Sequence, residues 1–367
     1  MNKRHLGFVL SYRSPEYIRS TTLRTALERN PAFIVEDATN DSPTTKRYFQ
    51  TIRKIKTILK STQTRLWFIN FRGHEIYWLV RWLVGKKSKI VFDELISPYD
   101  VWINERKTFR ENSLVARLVY RIEKAILSDA DYLITDSRKQ AEHYVQLYGV
   151  PIEKFKVIRG SVDENLFSPA ATPRKLDFPE PFVVFTYSTF IPLHGMEFIL
   201  PAAELLKDLP IRFLIVGGKG KKLADFLHER EVRGLNNISH MAWINFNELP
   251  TYIRGASICL GGPFGSSNQA QRVITGKALQ FLACESPTVI GNTGETKGIF
   301  FDKKNCLLVE PGSAQAIADA IRWAFQHPGD LPEIARQGRK TYTEFYSMDV
   351  LTRNLNSFID SIPLDFS

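Results

Sequence analysis

Phe213-Leu-Ile-Val-Gly-Gly-Lys-Gly220 decides the fold. An apolar run breaks on glycines and passes into the amphipathic stretch Lys221–Glu229, which reads as strand, tight turn and helix. Glycines at such a turn let backbone N–H groups approach a phosphate at the helix N-terminus. The spacing is not G-x-G-x-x-G, so by itself the turn marks architecture more than a ligand.

Working outward, the same unit recurs. Further strands are expected at Phe182–Tyr187, Ile238–Met241, Ile258–Leu260, Thr288–Ile290 and Cys306–Val309, with helices at Gly195–Lys207, Glu248–Arg254, Thr275–Ala283 and Ser313–Gln326. Toward the N-terminus, strands are expected at Leu6–Leu10, Phe33–Glu36, Arg65–Asn70, Lys89–Phe92, Tyr132–Thr135 and Lys156–Ile158. Helices fall between them at Tyr17–Arg29, Lys46–Lys60, Ser113–Ser128 and Ser137–Tyr148. This alternation predicts an α/β chain of two tandem doubly wound, Rossmann-like domains. Residues 169–181 hold four prolines and no apolar periodicity, so they read as a linker between domains 1–168 and 182–344. A chain of 367 residues suits two such domains, and the arrangement predicts a ligand cleft between the carboxyl ends of the two sheets. A last helical stretch, Met348–Ile362, has no strand after it.

Charge separates the halves. Residues 1–168 carry 29 Lys and Arg against 19 Asp and Glu, which accounts for the whole net charge of +10; the remainder holds 20 of each. Between Lys46 and Lys89 stand twelve basic residues and one acid, Glu75. Such a stretch predicts a partner rich in phosphate, and an anionic membrane surface is the partner expected for residues 46–89. Phe49, Ile52, Ile55, Ile58 and Leu59 fall at helical spacing there, as a membrane-surface helix or a core stripe requires. Aromatic residues accompany the basic stretch, but no nucleic-acid-binding module is present, so nucleic acid is not expected as a partner.

The longest apolar run, Ile76–Val84, is nine residues and contains Arg81, against the roughly 20 a spanning helix needs. The N-terminus has too short an apolar core for a signal peptide. Cys259, Cys284 and Cys306 sit in apolar stretches and read as buried small hydrophobes. A cytoplasmic protein, peripheral on the inner face of the cytoplasmic membrane, is therefore expected. The seven histidines form no HExxH and the cysteines no CxxC, so no metal site is expected. Asp129-Ala-Asp131 lies between a helix end and a strand, where capping and turn roles explain both carboxylates.

The most specific signal is an ordered series of segments. Thr186-Tyr-Ser-Thr-Phe-Ile-Pro-Leu-His-Gly195 enters a helix, and Gly262-Pro-Phe-Gly-Ser-Ser-Asn-Gln-Ala-Gln-Arg-Val-Ile-Thr-Gly-Lys277 leads into Ala278-Leu-Gln-Phe-Leu-Ala-Cys-Glu-Ser-Pro-Thr-Val-Ile290. Thr293-Gly-Glu295 and Asn305-Cys-Leu-Leu-Val-Glu-Pro-Gly312 follow. Upstream stand Ser128-Asp-Ala-Asp-Tyr-Leu-Ile-Thr-Asp-Ser137 and Phe155-Lys-Val-Ile-Arg-Gly-Ser-Val-Asp-Glu-Asn-Leu-Phe167. This order resembles the GT-B glycosyltransferases, specifically the retaining, family-4-like group 1 set, in an atypical branch carrying Phe-Ile-Pro-Leu-His-Gly. The resemblance is clear from about residue 120 to residue 345 and extends in part from residue 88.

The resemblance implies a nucleotide-sugar donor bound by the C-terminal domain, an acceptor bound by the N-terminal domain, and transfer with retention and without metal or other cofactor. It also implies that the last helix, within residues 345–367, returns to the first domain. Four family positions have changed type here. Thr189 and His194 stand where the family has the Arg and Lys that hold the diphosphate, and Arg272 and Gln280 stand where it has two glutamates. The donor site expected from the resemblance comprises Thr189, His194, Gly195, Gly217, Gly265, Ser266, Arg272, Lys277 and Gln280. In it Arg272 and Lys277 supply the counter-charge near a helix N-terminus, and Gln280 meets a ribose hydroxyl. Asp93, at a strand's carboxyl end, is the expected catalytic residue, and Arg106 and Lys107 are the expected contacts to an acceptor phosphate. The function expected is sugar transfer to an envelope or polysaccharide acceptor, lipid-linked in one form; the alternative is a GT-B-shaped binding protein without catalysis.

Overall fold

A computed structural model describes residues 3–170 and 176–363 and divides the chain into two compact units: Met1–Ser161 with Met348–Ser367, and Val162–Ser347. The division falls before the expected boundary at residue 168, because Val162 and Phe167 are buried in the second unit's core. Residues 171–175 of the expected linker lie outside the described residues. Its later part is not a free tether, since Leu176 and Phe178 pack against that same core.

The first unit alternates β1 (Arg4–Leu10), α1 (Ile18–Glu28), β2 (Phe33–Thr39), α2 (Lys46–Ser61), β3 (Leu66–Ile69), α3 (Tyr77–Val84), β4 (Lys89–Asp93), α4 (Leu114–Asp129), β5 (Tyr132–Thr135), α5 (Arg138–Tyr148) and β6 (Phe155–Val157). The second continues with β7 (Phe182–Ser188), α6 (Ile199–Glu204), β8 (Ile211–Gly217), α7 (Gly220–Val232), β9 (Ile238–Met241), α8 (Leu249–Gly255) and β10 (Ile258–Gly262). It is completed by α9 (Gly276–Ala283), β11 (Thr288–Gly291), β12 (Leu307–Val309), α10 (Ala314–Gln326) and α11 (Leu331–Phe345). The last helix, α12 (Met348–Asp360), belongs to the first unit and lays Leu351, Leu355, Phe358 and Ile359 on the core beside Leu23 and Leu27 of α1.

Each unit is built on one parallel six-stranded sheet, ordered β2-β1-β3-β4-β5-β6 and β12-β11-β10-β7-β8-β9. Helices cover both faces, so the strands read as near-continuous apolar runs. Two helices depart from the expected series. The segment Tyr77–Val84 is apolar almost all round and shows little helical period, yet it forms α3. Pro332 and Gly338 read as breakers inside α11, but Pro332 occupies the first turn, where its missing N–H costs nothing. The helix expected from Gly195 begins only at Ile199, after two 3₁₀ turns, Pro192–His194 and Met196–Phe198.

A buried ion pair ties the first unit together. Arg19 of α1 donates Nε to both carboxylate oxygens of Asp93 at 3.0 Å, Nη2 to Oδ1 at 2.8 Å, and Nη1 to the carbonyl of Ile158 at 3.0 Å. Both side chains are buried, at 5 % and 2 % exposure. The pair joins α1, the end of β4 and the segment after β6. Arg19→Met is expected to destabilise the protein by about 3–5 kcal/mol, because it strands a carboxylate in the core. Adding Asp93→Leu should recover most of that loss in urea unfolding; equal midpoints for the single and double variants would refute the assignment.

Candidate functional site

In the second sheet the strand order reverses between β7 and β10, the position where doubly wound folds open a crevice at the carboxyl ends of the strands. Backbone pairing there joins Ile258 to Val184 and Cys259 to Phe185. One step further on, the Thr186 hydroxyl bridges to the carbonyl of Leu260 at 3.0 Å. The two loops leaving this point carry most of the expected donor residues.

The loops meet backbone to backbone. Gly195 has φ +63°, and a Cβ there would lie 2.4 Å from the Phe264 carbonyl carbon; a Cβ on Gly265 would lie 2.1 Å from the Pro192 oxygen. The Gly265 N–H also donates to the Leu193 carbonyl at 3.3 Å. Only glycine permits this approach. Phe190 between them holds φ +58°, rare for a bulky residue, and its N–H donates to Ser188 Oγ at 2.9 Å. That hydroxyl lies 2.8 Å from His194 Nδ1. Gly217, at the end of β8, presses on the Ser188 carbonyl, where a Cβ would come within 2.5 Å.

Beyond the second loop, Thr275 caps α9. Its hydroxyl accepts from the Ala278 N–H at 3.2 Å and donates to the Gly261 carbonyl at 2.6 Å. This fixes Lys277 in the first turn of α9. Lys277 is 4 % exposed, and its Nζ has no hydrogen-bond partner. Burial pushes its ammonium down to about 7. His194 is held well below the usual histidine range, first by burial and then by the Lys277 charge, so it is neutral at pH 7. The two side chains therefore feel one another across the loops, and an anion arriving there would meet an unpaired cation beside a neutral imidazole.

The other expected residues divide. Gln280 is buried on the same helix, and its Oε1 accepts from the Tyr187 hydroxyl, which leaves its amide N–H groups and one lone pair for other partners. Arg272 closes a 3₁₀ turn, Ala270–Arg272, and is partly buried. Thr189 and Ser266 are exposed. Tyr187 and Ser188 went unnoticed in the sequence because a strand-end tyrosine and serine look ordinary there.

In the first unit, Asp93, the expected catalytic residue, is buried and accepts hydrogen bonds from Arg19 at both of its oxygens. Arg106 and Lys107 are exposed just after a π-helical turn, Asp100–Glu105. Asp129 accepts from Tyr77 and Arg81, and Asp131 from Arg81, Lys89 and the Ile90 N–H, which accounts for both carboxylates. The apolar stripe of α2 is core, not a free face: Ile55 and Ile58 are buried and only Phe49 projects. Several of the twelve basic residues are likewise paired, Arg47 with Glu75 and Lys54 with Asp41. Among the described residues no helix is long and apolar enough to cross a membrane. The three cysteines are buried and unbridged.

Comparison with known proteins places this architecture. Residues 181–327 match the family model for glycosyl transferases group 1. The D-inositol 3-phosphate glycosyltransferase of Xylanimonas cellulosilytica is 23 % identical over 240 residues, covering 61 % of this chain and 55 % of that protein. The chain thus spans about half the length of the curated relatives it matches. Sucrose-phosphate synthase from Thermosynechococcus elongatus superposes with a TM-score of 0.75 at 16 % identity, over 98 % of both chains. Anabaena HepE in complex with UDP-glucose does so with 0.67 at 15 % identity, over 98 % of this chain and 100 % of that one. The chain has the GT-B fold, and residues 181–327 of its crevice-bearing second unit are similar to the glycosyl transferases group 1 family.

Proposed function

We propose that this protein is a glycosyltransferase that moves a sugar from a nucleotide-sugar donor to an envelope or polysaccharide acceptor, with retention and without metal in the transfer step. One observation carries the reading: Lys277 holds a buried, unpartnered ammonium in the first turn of a capped helix, at the crevice of the family-matched domain. A diphosphate supplies the charge that this group lacks. The solved structure of HepE with UDP-glucose supports a donor of that class.

In this reading Lys277 and the α9 N-terminus stabilise the negative charge that grows on the departing nucleoside diphosphate. Neutral His194, oriented by Ser188, donates a hydrogen bond, and Arg272 lies at the rim of the site. Gly195, Gly217 and Gly265 keep the loops low enough for backbone N–H groups to reach the phosphates. Gln280 offers its amide N–H to the donor. The first unit takes the acceptor, with Arg106 and Lys107 meeting a phosphate on it. The altered family positions leave a second reading, a binding protein without catalysis, which donor hydrolysis distinguishes: a chain that binds UDP-glucose but never releases UDP is of the second kind.

A lipid-linked acceptor is favoured by an apolar, basic surface of the first unit. On α4, Leu114 is 81 % exposed, and Leu118 and Ile122 follow at helical spacing beside Arg117 and Arg121; on α3, Trp82 is 75 % exposed. Such a face suits an anionic bilayer.

Lys277→Ala should weaken UDP-glucose binding by about 1.5–3 kcal/mol, roughly ten- to a hundredfold, while Thr189→Ala changes it little; calorimetric titration showing equal effects would refute the assignment. Binding should also take up a proton. Free Lys277, near 7, is mostly neutral at pH 8, and the diphosphate raises it toward the ordinary lysine range of about 10.4. Uptake should therefore be large at pH 8, small at pH 6, and absent in Lys277→Met, as read from titrations in buffers of different ionisation enthalpy. In flotation assays the chain should follow vesicles containing phosphatidylglycerol and not purely zwitterionic ones. Leu114→Asp with Leu118→Asp should abolish the association without altering UDP-glucose binding.

A further inference from the structure

The first unit contains a group of side chains that the proposed transfer does not use. His74 lies in a 3₁₀ turn after β3, Glu94 directly follows β4, and Glu123 projects from α4. Each offers a ligand atom, and these atoms lie within 4.8 Å of one another. The side chains of Glu94 and His74 are 0 % and 10 % exposed, and Glu123 is 1 % exposed.

Their hydrogen bonding is incomplete. His74 Nε2 meets Glu94 Oε2 at 2.8 Å, and Glu123 Oε2 accepts from the Tyr99 N–H at 3.1 Å. His74 Nδ1 is buried with no partner, and the Glu94 and Glu123 carboxyls lie against each other, with Ser97 and Tyr148 also hydrogen-bonding to Glu123. Among the described residues neither glutamate is paired with an arginine or lysine. This contrasts with Asp93 next door, which Arg19 satisfies fully. Burying two carboxyl groups beside one imidazole is costly unless they stay protonated or a cation joins them.

We propose that His74, Glu94 and Glu123 bind one divalent transition-metal ion. One imidazole nitrogen with two carboxylates is the donor set of zinc, manganese or iron(II), and the imidazole argues against calcium or magnesium. A cation drawing these atoms to about 2 Å closes a cluster that is already gathered. A cavity of about 230 Å³, lined by Arg72, His74, Pro98, Trp102 and Glu123, leaves room for water to complete the coordination. The ion clamps three elements that are far apart in sequence: the β3 turn, the end of β4 and α4. Its place at the carboxyl ends of neighbouring strands fixes the ligand-facing end of the first sheet.

The test uses the full chain, stripped with a chelator and dialysed against Zn²⁺, Mn²⁺ or Mg²⁺, then desalted for elemental analysis and thermal unfolding. The site predicts about one equivalent of Zn²⁺ or Mn²⁺ per chain, no retained Mg²⁺, and a Tm raised by several degrees. Glu94→Gln with Glu123→Gln, nearly isosteric, should lose the retained metal and the Tm shift while keeping its circular dichroism and its UDP-glucose affinity. Should that variant fail to fold, Co²⁺ added to the parent chain decides: intense visible d–d bands support the site. Retention of none of the metals, identical retention by the variant, or a Co²⁺ spectrum like that of the aqueous ion would overturn the proposal.

Discussion

The contact on which the second unit's chemistry depends is one of backbone with backbone. The loops after β7 and β10 touch at Gly195 and Gly265, with no room for a Cβ on either side. A side chain at either position would push the loops apart, and the positions they set would move together. His194 stands one residue from the contact, and the second loop runs on from it to the Thr275 cap and Lys277. Pre-organisation of this kind is what stabilises developing charge, because the dipoles and cations need not move when the charge appears.

Charge burial is handled in opposite ways in the two units. Arg19 and Asp93 bury together, each completing the other's hydrogen bonds, and the result is a brace with nothing left over for a ligand. Lys277 buries alone, whereas His74, Glu94 and Glu123 bury against one another with no cation paired to either glutamate among the described residues. A buried group without a partner costs more than a paired one returns. Residue type alone does not show this contrast, since Asp93 and Glu94 are adjacent carboxylates with different partners.

Much of the architecture was legible in the amino-acid order. All twelve strands were foreseen within a few residues, because parallel strands covered on both faces are short apolar runs between turn residues. Most helices followed from their 3.6-residue period. The failures have physical causes: α3 is apolar nearly all round, α11 contains a proline and a glycine, and α6 gives up its first turns to the tight loop at Gly195. Within the candidate site, Lys277 and the glycines were visible, since a helix start and tight turns leave local marks. The partner of Asp93 was not legible, because a carboxylate at a strand end looks the same whether or not an arginine 74 residues away reaches it.

Periodicity, turn residues and the order of motifs are local properties, and the sequence by itself determined what depends on them: two doubly wound sheets, the glycine loops, and the family resemblance of the second domain. Only the tertiary structure decided which charges are neutralised. Arg19 reached Asp93, Asp129 and Asp131 absorbed Arg81 and Lys89, and the α2 stripe turned inward. His74, Glu94 and Glu123 came together while Lys277 stayed alone. The reason is that electrostatic and hydrogen-bond energies depend on distances across space, and a parallel sheet brings together at its strand ends residues that the chain holds far apart.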